Sequence, residues 1–120
     1  MMVVCDQSKL RSNGVHGAPD LVVEVLSPGT ARYDKGHKKS VYEHHGVREY
    51  WIVSPVERSV EQYVLEDGHF VLWDVYTFYS REMLEDMKEA ERAEVVTEFR
   101  CSLFDDLPIR LKDIFYRMID

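Results

Sequence analysis

The sequence predicts an α/β domain of the mixed α+β kind, with one central mixed β-sheet flanked by helices. Three observations carry that reading. LVVEVL, at 21–26, is β-branched, apolar on both faces and bounded by Gly-Ala-Pro and Ser-Pro-Gly, as suits a central strand. Tyr33 to His45 follows with the spacing of an amphipathic helix and stops at Gly46, a natural residue to end one. Further strand-like runs come next, giving the order strand, strand, helix, strands, helix. A chain of 120 residues holds one core, so 1–120 reads as a single domain.

The elements can be justified in turn. MMVVC opens the chain as a short apolar run with no cap or polar lead-in; it reads as the second half of a strand or as a frayed terminal one. Asp6 to Ala18 contains Ser, Asn-Gly and Gly, the composition of a loop or wide hairpin connection. Along Pro19–Leu26, the period of two puts Asp20, Val22, Glu24 and Leu26 on one face, with Leu21, Val23 and Val25 on the other. Within the helix, Asp34 lies near the start, where the dipole favours a carboxylate. Lys38 and Tyr42 are one turn apart, as are Lys35 and Lys39. Glu49 to Val53 forms the next strand, closed by Ser54-Pro55. Ser59–Leu65 alternates, Glu66-Asp67-Gly68 turns, and His69–Tyr79 returns as a hairpin arm long enough to bend near Asp74. Arg81–Glu94 is a short exposed helix or an acidic loop, Val95–Cys101 adds a strand, and Leu103–Pro108 turns. Ile109–Ile119 ends the chain as an amphipathic helix, with Leu111, Ile114, Phe115 and Met118 on one face.

A net charge of −7 argues against a general nucleic-acid binder, yet the charge is uneven. Arg32 to Arg48 holds five Lys or Arg against two acids, whereas Arg81 to Glu94 holds six acids against three bases. Cys5 and Cys101 lack any CxxC or Cys/His spacing and read as reduced packing residues. The chain shows no apolar run of bilayer length and no charged-then-apolar leader, so a cytoplasmic location is expected.

Glu24 is the residue that most needs an explanation. A glutamate between Val23 and Val25 on a core strand is costly unless it is paired, hydrogen-bonded or bound to a cation. A divalent-metal ligand satisfies that need; the plain alternatives are an internal ion pair or a position at the edge of the sheet. Asp20 shares its face, but four strand residues separate the two by roughly 13 Å. Carboxylate–metal bonds are only about 2–2.5 Å long, so one ion cannot take both directly. An acidic partner for Glu24 should come from a neighbouring strand, leaving Asp20 to cap the strand start or to act one shell out. Lys38 and Lys39 follow on the helix. A lysine beside a metal orients water or offsets charge growing on a phosphate, although a helix lysine alone is as readily a solvated one. Asp34 and Tyr42 have plain readings too, as helix N-terminal charge and helix packing. His37, His44 and His45 show no ligand spacing and read as surface residues.

Gly17-Ala18-Pro19-Asp20, then Glu24-Val25-Leu26-Ser27-Pro28, Tyr33-Asp34, Lys38, Tyr42, and the run from Gly46 to Val53 together resemble the signature of the Uma-two family. That family is restriction-endonuclease-like and belongs to the PD-(D/E)XK nuclease superfamily. The resemblance covers nearly the whole chain. It implies a central mixed sheet flanked by helices and a Mg2+- or Mn2+-dependent centre that hydrolyses nucleic-acid phosphodiester bonds, with DNA as partner. Glu24 matches the superfamily's second strand acid, and Leu26 stands where the strand lysine would be. On that pattern Lys38 would take that lysine's place with Asp34 and Tyr42 orienting it, Glu24 would be a metal ligand, and Asp20 a metal ligand or an outer-shell acid. Two departures stand out. Family members carry a Pro-Asp just ahead of a segment like Val3-Val4-Cys5-Asp6, and this chain starts directly after that position, so the domain is expected to lack its N-terminal portion. Ser54 stands where the family has an aspartate. Two functions are therefore in play: a metal-dependent endodeoxyribonuclease, and a non-catalytic homodimeric relative whose apolar surface is buried by self-association.

Overall fold

In the computed structural model, described residues are 2–3, 10–11, 14–15, 19–26, 31–103 and 107–115, with side chains described for 19–26, 36–103 and 107–115. The elements are β1 (Met2–Val3), β2 (Leu10–Arg11), β3 (Gly14–Val15), β4 (Leu21–Val25), α1 (Ala31–His44), β5 (Glu49–Ser54), β6 (Ser59–Glu66), β7 (His69–Thr77), α2 (Arg81–Glu85), α3 (Glu89–Ala93), β8 (Glu98–Arg100), β9 (Pro108–Arg110) and α4 (Leu111–Phe115). Five strands form one sheet in the order β1-β4-β5-β6-β7. β4 and β5 run parallel, joined through α1, while every other neighbour in that sheet is antiparallel. The mixed sheet with helices is the expected fold class. β2 with β3, and β8 with β9, make two small antiparallel pairs of their own.

Each side of the sheet has its own apolar cluster, because strand side chains alternate. Val22, Val47, Tyr50, Ile52, Tyr63 and Phe70 pack on the side that Tyr42 of α1 covers. Leu21, Trp51, Val53, Val60, Phe99, Cys101, Leu111 and Phe115 fill the other side, under β8 and α4. β5 lies at the centre and is buried from Glu49 to Val53, so it can be apolar on both faces. Cys101 is a buried free thiol, in line with a packing role, whereas Cys5 lies outside the described residues.

Local chemistry explains the joints. Gly46 sits at φ 79°, the left-handed conformation that ends α1. Asp67 and Gly68 both have positive φ and link Glu66 to the residue paired with it, His69, so the turn expected over Glu66–Gly68 is a two-residue hairpin loop with Glu66 already in the strand. The β6–β7 register shifts between Gln62 and Tyr63, so Gln62 faces Asp74 while Tyr63 faces Leu72, leaving Trp73 as the extra residue of a bulge. The bend expected near Asp74 is that bulge.

Some boundaries differ from expectation, each for a tertiary reason. Arg81–Glu94 divides into α2 and α3, with Ser80 capping α2 through Met83 N at 3.3 Å. Pro108 to Arg110 is strand rather than turn and helix start, because it pairs with Glu98 to Arg100 and leaves α4 to begin at Leu111. Pro108, without an N–H, occupies the first strand position, where none is needed. Met118 lies outside the described residues. Among the described residues, no helix is long and apolar enough to cross a membrane.

Candidate active site

β4 and α1 bring together three of the residues singled out in the sequence. Glu24 projects from β4 on the face shared with Val22 and Ile52. Lys38 and Tyr42, a turn apart on α1, reach down to it from above. The Tyr42 hydroxyl donates to Glu24 Oε1 at 2.6 Å, and Lys38 Nζ donates to Glu24 Oε2 at 3.5 Å. The strand glutamate is thus held by a phenol on one oxygen and an ammonium on the other. Its side chain remains 23% exposed and that of Lys38 41%, so both can meet a solute.

Tyr42 is tuned by this arrangement. Burial, then the hydrogen bond to Glu24 and its negative charge, push the phenol up to about 12, so it stays a proton donor at neutral pH. Behind it, Tyr50 packs with its ring centroid 5.2 Å from that of Tyr42. Burial and the nearby Glu24 raise the Tyr50 phenol as well.

The remaining candidates go elsewhere. Asp20 is buried at the start of β4; its carboxylate lies 4.0 Å from the Arg48 guanidinium, and its backbone carbonyl accepts from Glu49 N at 3.1 Å. It anchors the point where β4 meets β5 and does not join Glu24. Lys39, one residue from Lys38, lies 4.2 Å from the centroid of the Tyr63 ring, a cation–π contact that distinguishes the two lysines. The side chain of Asp34 lies outside the described residues. His37, His44 and His45 are exposed, as a surface reading requires.

Glu49 is a polar centre that the sequence did not reveal. It is fully buried, on the opposite side of the sheet from Glu24. The Trp51 indole N–H, the Gln62 amide at 3.2 Å, the Ser102 backbone N–H at 2.9 Å and the Ser102 hydroxyl all donate to it. Gln62 also donates to the Arg100 carbonyl at 2.9 Å and accepts from the Tyr76 hydroxyl at 2.8 Å. The network ties β5, β6 and β7 to the segment after β8. Its only sequence signal is an acid opening an apolar strand, because Gln62 and Ser102 are 13 and 53 positions away.

The donor set at Glu24 suits a hard cation. Its one carboxylate is an oxygen ligand of the kind magnesium takes, and magnesium is bound through one or two carboxylates together with water and substrate phosphate. Among the described residues, no three His, Cys, Asp or Glu side chains gather to enclose a metal. A cation held by Glu24 alone would need water and phosphate to complete its coordination. The neighbouring strand bears on this as well. Met2 faces Val22 and Val3 faces Leu21 across the antiparallel β1–β4 pair, which makes β1 a strand beside that of Glu24.

Comparison with solved proteins puts this mixed sheet in a known class. The fold matches that of a chain from Anabaena variabilis described as "a putative nuclease belonging to DUF820", with a TM-score of 0.59 and 20% identity over 93% of this chain and 56% of that one. Residues 1–97 match the model of the Uma2 family, described as "Putative restriction endonuclease", and the chain belongs to that family. It is also 33% identical over 84 residues to "Uncharacterized protein slr1290" of Synechocystis sp., over 69% of this chain and 43% of the relative. The chain thus spans about half the length of the relatives it matches.

Proposed function

We propose that the protein is a metal-dependent nuclease-like hydrolase acting on nucleic-acid phosphodiester bonds, with its site at Glu24, Lys38 and Tyr42. One observation carries the reading: in a family described as restriction endonuclease, a half-buried strand glutamate is bonded by both a lysine and a tyrosine of the next helix. When bound, Mg2+ or Mn2+ would polarise a phosphoryl oxygen and acidify water. Glu24 is the ligand. Tyr42, donating to Oε1, fixes the carboxylate's orientation and leaves lone pairs for the cation. Lys38, half-exposed beside Oε2, turns its ammonium to a phosphate oxygen and offsets the charge that grows there during attack. Asp20 acts one shell out by holding the start of β4 through Arg48.

The test is cleavage of single-stranded and duplex DNA in manganese by the wild-type chain and by Glu24→Ala and Lys38→Ala. Metal-dependent cleavage that each substitution lowers at least a hundredfold is the expected result. Cleavage that survives Glu24→Ala would remove the site.

A second reading is favoured by a different observation. β7 is an edge strand with Val71, Leu72, Trp73 and Val75 all exposed. A non-catalytic protein that self-associates through this edge would be a homodimer. Sedimentation separates the two cases: a concentration-dependent dimer that Leu72→Lys dissolves, in a chain that cleaves no DNA, is the outcome belonging to this second reading.

A further inference from the structure

On the side of the sheet away from Glu24, the region after β7 and the β9–α4 junction enclose a cavity of about 550 Å³. That volume lies within the range of small-molecule pockets, about 300–1,000 Å³. Phe78, Leu84, Val95, Val96 and Leu111 give it an apolar interior. Leu111 belongs to the Leu21–Trp51 core, whereas Glu24 shares its face with the Val22–Tyr50 core, which sets the cavity apart from the candidate active site.

The charges around it run against those of the molecule. On a chain of net charge −7, the described residues that line the cavity include Arg81, Arg110 and Lys112 against one acid, Glu98. Arg81 approaches from the start of α2, and Arg110 and Lys112 from the other wall. Among the described residues, none of the three makes an ion pair. An adjoining recess of about 390 Å³ shares Thr77, Tyr79, Val95 and Val96 with the cavity and carries the acids Glu91 and Glu94, whereas Arg110 and Lys112 line the cavity and not the recess. Thr77 and Thr97 add hydroxyls to the larger cavity.

We propose that this cavity binds a small amphipathic anion, whose apolar body lies against Phe78, Leu84 and Val96 and whose carboxylate or phosphate head meets Arg81, Arg110 and Lys112. Burying the body supplies the non-directional part of the affinity. Three cations from two walls supply charge-assisted hydrogen bonds to the head and select an anion over a neutral ligand. The site does not depend on the nuclease reading.

Calorimetric titration of the full chain with decanoate, decyl phosphate and uncharged decanol, each below its micellar concentration, tests the proposal. The expected result is saturable one-to-one binding of at least one anionic probe, at least tenfold tighter than decanol. Arg110→Glu with Lys112→Glu should weaken it at least tenfold, and so should Val96→Trp, which fills the cavity. Thermal unfolding checks that each variant is folded, and all three substituted residues are exposed. Glu24→Gln should leave the binding unchanged, so failure here and failure of the nuclease site are told apart. Absence of saturable binding by wild type would overturn the proposal, as would equal binding by the folded variants. Loss of duplex-DNA binding in the double variant, with decanoate binding intact, would overturn it in favour of a nucleic-acid surface.

Discussion

Glu24 and Glu49 stand on neighbouring strands, and their surroundings set what each can do. Glu49 is sealed by four donors from Trp51, Gln62 and Ser102. Removing a buried charged acceptor strands those donors, so Glu49→Ala should cost about 3 kcal/mol of stability in a urea titration. Glu24 keeps solvent access and two donors that a ligand can compete with. Tyr42 supplies a pH signature. Its phenol titrates near 12 in the folded chain against 10 when free, so the stability it contributes is complete below pH 10 and is lost as pH rises towards about 12. Tyr50 and Tyr76 are raised as well and steepen the same alkaline limb. Tyrosinate absorbance and urea midpoints measured from pH 9 to 12 should show this, with Tyr42→Phe flattening the fall. In Glu24→Gln the Tyr42 phenol should titrate lower, as the charge that helps raise it is gone.

At the scale of elements, the β4–α1–β5 unit was readable because its signals are local: a β-branched run, a period of 3.6, and Gly46 as a stop. Gly46 is held at φ 79° with open space where a side chain would sit, so Gly46→Ala should cost about 1 kcal/mol through backbone strain alone. Chemical denaturation measures it, and no loss would mean that the helix end relaxes. The approach of Lys38 and Tyr42 to Glu24 was readable as spacing and family pattern. The family pattern singled out Lys38 over Lys39, but the contact of Lys39 with the Tyr63 ring on β6 was not legible without the fold. Likewise, Pro108–Arg110 forms a strand through a partner ten residues away, and Glu49 is buried by residues far along the chain. Periodicity within a window cannot register such pairings.

Over the whole molecule, the sheet separates two chemistries. One face carries Glu24 under α1; the other carries the Glu49 network and a cavity lined by Arg81, Arg110 and Lys112. The proposed nuclease site lies on the first face. The register of β1 on β4 adds a prediction about that face. Placing Pro-Asp directly ahead of Met1 should bring a second carboxylate towards Glu24 and tighten Mn2+ binding at least tenfold in a calorimetric titration.

The most direct measurement on the central claim is a Mn2+ titration of the 120-residue chain and of Glu24→Gln, read by calorimetry, with both proteins shown to be folded. Saturable binding by wild type that weakens at least tenfold in Glu24→Gln is the expected result. Equal binding by the two, or none by either, would contradict a metal site at Glu24.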